Sequence, residues 1–246
     1  MAAKLRRFVN GFTTTVGESS WVLLCFFLVA AAMYGVVLPY IPPLEKLFDT
    51  TLGQLLAGGL IYALVLFLVI LPIWAIRNFR YVLKVLGVTK KPTSEILWLP
   101  ALMWAAYMGA TIIAALIASY APWIDMDQTQ ETGFQDLGLP VEYVAAFIAL
   151  VILPPIAEEL LFRGYLFGRL REKFGFWFTA IVVSIVFGVV HMQWNVGVDV
   201  AVLSLFLCYL RERTGSIWAS IVLHATKNGV AYFLLFIAPL IGINIG

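Results

Sequence analysis

The chain is poor in charge. Lys, Arg, Asp and Glu make up 12% of its 246 residues, against 62% hydrophobic residues and a mean hydropathy of +0.95. Soluble domains carry about a quarter charged residues. So few charges cannot clothe a water-facing surface, which excludes an ordinary soluble domain and makes the bilayer the expected solvent. Cysteine and histidine are equally scarce, at two each. Cys25 and Cys208 both lie in apolar stretches, so no disulfide framework and no CxxC metal pattern is available. There is no internal repeat, no long low-complexity tract and no HExxH sequence. The net charge of +2 says little by itself, and no nucleic-acid partner is expected.

What is present is a succession of apolar runs. A helix needs about 20 apolar residues to cross the hydrocarbon core. The runs at 21–40, 53–76, 96–121, 142–166, 176–193, 197–210 and 216–245 predict an all-α, polytopic transmembrane bundle of seven spans. An eighth would follow if the last run breaks near Asn228-Gly229. The first run exceeds the 7–15 residues of a signal-peptide core and is read as a retained span. Pro42-Pro43, Pro92, Pro122 and Pro140 stand at span ends, where helices stop. The long polar connection 122–142 divides a three-span region, 1–141, from a second helical region, 142–246.

The connections alternate in charge. Lys4, Arg6 and Arg7 precede the first run, five basic residues lie in 77–95, and Arg169, Arg171, Lys173, Arg211 and Arg213 follow in later connections. The connection 122–142 carries Asp125, Asp127, Glu131, Asp136 and Glu142 and no base. All of the 16 basic residues except Lys46, Arg163 and Lys227 thus fall on one side. The positive-inside rule makes that side cytoplasmic, with the N-terminus inside a cell membrane expected to be bacterial or archaeal.

Against this background the stretch "PPIAEELLFRG", Pro154 to Gly164, is anomalous. Glu158, Glu159, Arg163, His191, His224 and Lys227 read as the ionisable groups deep in the spans. A charge at mid-membrane costs about 2.5–3.5 kcal/mol on insertion scales, so each calls for a partner or a function. Glu159 and Arg163, four apart, share a helix face and can pair. Glu158 lies about 100° around the helix, with no basic residue three or four positions away, and is free to face a cavity as a base. Phe187 and His191 share one face, as do His224 and Asn228. Counted from the turn near Phe174-Gly175 at ~1.5 Å per residue, Glu158 and His191 reach a similar depth, whereas His224 falls about 10 Å short. Buried Glu and His also make proton relays, so a proton-coupled transporter is a rival reading, as is a non-catalytic immunity or scaffold protein. The lack of an inverted repeat disfavours the transporter.

Taken in order, EExxxR (Glu158 to Arg163), FxxxH (Phe187 to His191) and HxxxN (His224 to Asn228) resemble the CPBP family, the CAAX prenyl protease and bacteriocin-processing (Abi) intramembrane proteases, over roughly residues 142–236. The resemblance implies a peptidase acting on a membrane-associated or lipidated peptide. Glu158 and His191 would activate water, His224 and Asn228 would stabilise the oxyanion, and Glu159 with Arg163 would brace the site beside Phe187. No cofactor is expected. The family has also been read as zinc-dependent, in which case Glu158, His191 and His224 would be the ligands.

Overall fold

A computed structural model describes all residues except Met1, 38–39, 41–45, 48–49, Pro92, 126–127, 129–133, 135–136 and 244–246, and gives only the backbone of 2–12, 34 and 36. Pro42-Pro43, Pro92 and the loop acids Asp127, Glu131 and Asp136 therefore lie outside the described residues, as do the side chains of Lys4, Arg6 and Arg7.

The described chain is helical, with no strand among the described residues. Helix α1 spans Ala2–Ala32, its membrane-length part being Thr13–Ala32. Helix α2 is Thr51–Ile76, α3 is Phe79–Leu86 and α4 is Glu95–Ala118. Helix α5 runs over Pro140–Arg171, α6 over Phe176–Val189, α7 over Trp194–Thr214 and α8 over Trp218–Ile237. Six of these are long and apolar enough to cross a membrane. The predicted span at 176–193 is the short one: α6 has 14 residues, about 21 Å at ~1.5 Å per residue. The last run does not break at Asn228-Gly229. Helix α8 continues through that pair and turns only at Pro239–Ile241, so no eighth span forms among the described residues.

Local chemistry accounts for several ends. The Thr50 hydroxyl accepts from Gly53 N at 3.0 Å and caps α2, and Asn78 Oδ1 accepts from Tyr81 N at 2.9 Å and caps α3. Gly87 and Gly215, at φ of 72° and 68°, close α3 and α7 in the left-handed conformation that glycine adopts without cost.

Large apolar side chains point both ways, as a lipid-solvated bundle requires. Leu28, Leu56, Ile113 and Leu116 are exposed, while Val22, Val65, Leu161, Phe162, Leu166 and Phe187 form the main core. That core joins α1 and α2 to α5 and α6, across the boundary drawn at residue 141. A second cluster, with Leu99, Tyr107, Leu203, Leu207 and Leu223, ties α4 to α7 and α8. Helix α5 is thereby packed from several sides.

The basic residues do gather at one end. Arg171 pairs with Glu212 at 2.7 Å, Arg213 with Glu95 at 3.5 Å and Arg169 with Glu18 at 3.0 Å. At the same end the Tyr81 hydroxyl donates to Glu172 Oε1 at 2.8 Å, and that bond pushes the phenol above its ordinary pKa.

Helices α6 and α7 approach at Gly188 and Gly197. A Cβ on Gly188 would stand 2.8 Å from the Gly197 carbonyl oxygen, and one on Gly197 would stand 2.9 Å from that of Gly188. Backbone cannot yield as a flexible side chain can, and small residues are what permit such approaches in membranes. Gly188→Ala and Gly197→Ala should each destabilise the protein by about 1–3 kcal/mol, the range for overpacking. Gly109→Ala, with open space around it, should be neutral. Thermal melting in detergent compares the three.

Candidate active site

The three motif segments lie on, or just past the end of, α5, α6 and α8, and they converge. Helix α5 is not uniformly α. It passes through a π-helical stretch at Ile148–Ile152, an α turn at Leu153–Glu158 and a second π stretch at Glu159–Leu166. Such stretches often mark functional sites. The sequence explains the first. Pro154 and Pro155 have no N–H, so the carbonyls of Leu150 and Val151 lose their partners four residues on. Asn228 of α8 fills one vacancy: its Nδ2 donates to the Leu150 oxygen at 2.9 Å.

Glu159 and Arg163 are both fully buried and bond at 3.0 Å, the pairing expected from their spacing. The Arg163 guanidinium lies 4.4 Å above the centre of the Phe187 ring, a cation–π contact. Phe187 is itself fully buried, edge-on to Phe162 at 4.8 Å, His191 at 5.0 Å and His224 at 5.9 Å. FxxxH thus supplies a wall that holds an arginine and two imidazoles around one ring.

His224 sits between the two glutamates. Its Nδ1 lies 2.9 Å from Glu159 Oε1, and its Nε2 lies 3.8 Å from Glu158 Oε2. A carboxylate on Nδ1 makes that nitrogen a proton donor, and Nε2 donates as well when the ring carries a second proton. Glu159 therefore contacts His224 as well as Arg163, which the spacing rule did not reveal. His191, half-buried, bonds the Phe187 carbonyl through Nδ1 at 2.8 Å; donation there leaves Nε2 as the free acceptor. No hydrogen bond joins His191 to Glu158. The two share a cavity of about 260 Å³, along with His224, Asn228 and Lys227. Leu150, Pro154, Val196 and Phe236 give that cavity an apolar wall.

The expected shortfall of about 10 Å for His224 is not seen. The count assumed straight α-helices, and the π stretch between Glu158 and the following turn breaks that assumption. Helix tilt is equally invisible to a residue count.

Two residues of the site escaped the sequence reading. Tyr62 of α2 donates its hydroxyl to Glu158 Oε1 at 2.6 Å. An aromatic in an apolar helix gives no signal of its own. Asp199 of α7 is an intramembrane acid that belonged with the other buried charges. It accepts from Tyr107 at 2.6 Å and Thr111 at 2.5 Å, and it faces Lys227 Nζ at 3.5 Å. The signal was available, since Lys227 was the cation left without an acid.

As placed, no group of three or more His, Cys, Asp and Glu side chains among the described residues could hold a metal ion. His191 and His224 each commit Nδ1 to another acceptor, so a zinc set of Glu158, His191 and His224 would have to draw on the two Nε2 atoms after rearrangement.

Residues 140–230 match the Rce1-like family, type II CAAX prenyl endopeptidases. The matched stretch contains all three motifs, so the resemblance to CAAX proteases read from them is borne out there. Over 77 residues the chain is 35% identical to a Bacillus subtilis (strain 168) protein named "Putative membrane peptidase YdiL". That match covers 31% of this chain and 32% of the relative. A 24.3 kDa Escherichia coli protein of uncharacterised role is 26% identical over 55% of this chain and 63% of its own length. The Lactococcus lactis (strain IL1403) protein YxdF is 24% identical over 67% of this chain and 88% of its own length. The chain therefore spans less than two thirds of the first two relatives. No solved structure matches. The chain is a multi-pass membrane protein whose second half is similar to a family of membrane peptidases.

The buried pair yields a stability prediction. Removing Arg163 as alanine strands a carboxylate in a dry site and should cost about 3–5 kcal/mol, as should Glu159→Ala. Glu158 retains 9% exposure and a neutral partner, so Glu158→Ala should cost clearly less. Melting temperatures of the purified variants make the comparison, and three equal losses would contradict this division.

Proposed function

We propose that the protein is an intramembrane endopeptidase that hydrolyses a peptide bond of a membrane-associated or lipidated substrate with water activated by Glu158. The observation that carries this reading is the bracketing of His224 by two adjacent glutamates at one cavity, one glutamate fully buried and the other open to it. Amide hydrolysis needs a base for water and donors at the developing oxyanion. Glu158 Oε2 and His191 Nε2 are the acceptors that a water in the cavity would meet. On attack, the proton leaves water for Glu158, and the same proton can pass to the departing amine. Asn228 spends one amide N–H on Leu150; its second remains for the oxyanion, beside His224. The apolar wall suits a substrate presented from lipid, and membrane lipid is the expected surrounding partner.

The mechanism is proposed as metal-free. Sidedness follows from charge: with the basic end cytoplasmic and the N-terminus inside, His191 just beyond the far end of α6 sets the cavity toward the outer half of the membrane. The named relatives are bacterial, which favours a bacterial cell membrane.

The deciding comparison incubates purified wild type and Glu158→Gln with membrane peptides, including a farnesylated CAAX peptide. Glu158→Gln should lose about 10²–10⁴-fold in activity while inserting normally, the scale of general-base catalysis. Activity near wild type in that variant would sink the assignment. Asn228→Ala should lose about 10²–10³-fold, the scale of one oxyanion donor. Metal analysis of active, chelator-treated protein should find no stoichiometric zinc. One tightly held zinc per chain, lost together with activity, would reassign both histidines as ligands.

A further inference from the structure

We propose that Tyr62 is a positioning residue of the reaction, holding Glu158 Oε1 so that Oε2 is the oxygen presented to His224 and the cavity. The inference rests on the reading of Glu158 as the base. The contact that carries it is a hydroxyl–carboxylate hydrogen bond of 2.6 Å, within the short range typical of O–H···O⁻ bonds.

A glutamate has three side-chain torsions and two equivalent oxygens. Left alone in a cavity, it samples many orientations in which neither oxygen meets a bound water. The groups facing Glu158 can be named element by element. Helix α2 offers Tyr62 as its one titratable side chain, and α8 offers His224, Lys227 and Tyr232. Within α5, Glu159 and Arg163 are engaged with each other, and the Tyr165 hydroxyl donates to Glu18 instead. His191, just past α6, bonds the Phe187 carbonyl. Among the described residues Tyr62 is thus the one hydrogen-bond donor to Oε1. Its ring is held in turn, edge-on to Phe26 of α1 at 6.2 Å, and it lines the cavity beside Glu158.

Position in the chain gives this contact its interest. Tyr62 lies 96 residues before Glu158, outside the stretch 140–230 that matches the protease family. Helix α2 otherwise reads as a generic apolar span. The geometry makes it part of the site, with the first half of the chain supplying the restraint and the second half the reactive groups.

The test uses the full-length protein in detergent and in liposomes. Tyr62→Phe removes one oxygen and keeps the ring against Phe26, so melting temperature should stay close to wild type. Infrared difference spectra between wild type and Glu158→Gln isolate the Glu158 carboxylate band. In the Tyr62→Phe background that band should shift, a readout that needs no substrate. With a peptide that Glu158→Gln cleaves measurably but about 10²–10⁴-fold more slowly than wild type, Tyr62→Phe should lower kcat by about 10–100-fold with KM within about twofold. In a double-mutant cycle the Tyr62 effect should vanish once Glu158 is glutamine, because nothing remains to position. An unshifted band, a wild-type kcat, or the same loss in both Glu158 backgrounds would each overturn the proposal. A Glu158→Gln enzyme that is fully active overturns the base assignment first and this role with it, a pattern distinct from loss of the Tyr62 effect alone.

Discussion

The site depends on a charge pair that the membrane makes costly to break. Glu159 and Arg163 are both sealed from solvent, and removing either would leave the other as an unpaired buried charge. Their pairing fixes more than themselves. Glu159 Oε1 also meets His224 Nδ1, and the Arg163 guanidinium lies on Phe187, whose edge contacts reach both histidines. Removing Glu159 would release the His224 imidazole as well as the Arg163 guanidinium. Such a group suits a scaffold role: it is fully buried and unable to relocate cheaply. Glu158, one residue earlier, differs only by the rotation of a helix, and that rotation turns it to the cavity.

Legibility followed periodicity. Apolar run length marked every span, and the spacing of Glu159 to Arg163 and of Phe187 to His191 reported real neighbours, because the local i, i+4 relation survives tertiary packing. Contacts between helices were not readable in this way. Nothing in the order of residues says that Tyr62 meets Glu158 or that Glu159 reaches His224 across 65 positions. Depth counts failed for a physical reason. They assume ideal α geometry, and α5 contains two π stretches flanking the reactive residues. Asp199 was missed although its partner was in view, since a single acid near a helix start resembles an interfacial residue until its three donors are seen.

The prolines connect the backbone irregularity to the site. Pro154 and Pro155 strip two carbonyls of their helical donors, which in lipid would be expensive to leave exposed. Asn228 answers one of them from α8. This gives Asn228 a structural duty before any chemical one, and it explains how α8 is set in register against α5. A residue four positions from His224 that grips the partner helix also fixes where His224 stands relative to Glu158. On the proposed mechanism, positioning and chemistry are coupled through one residue, whose amide grips α5 and which also lines the cavity.

The same logic extends to the chain as a whole. A family match confined to 140–230 suggests a catalytic half attached to a generic membrane anchor. The packing argues otherwise. Val22 of α1 and Val65 of α2 share a core with Leu161 and Phe187, and one turn from Val65 the Tyr62 hydroxyl touches the glutamate proposed as the base. Helix α4 contributes Tyr107 and Thr111 to the acid that faces Lys227 at the cavity. Polar contacts from three transmembrane helices thus converge on Glu158 and Asp199, and two of those helices, α2 and α4, lie outside the matched stretch. In a bilayer, where apolar surfaces exert little preference for one another over lipid, such contacts give a helix a definite partner and rotation. The first half of the chain is then a determinant of the site's geometry.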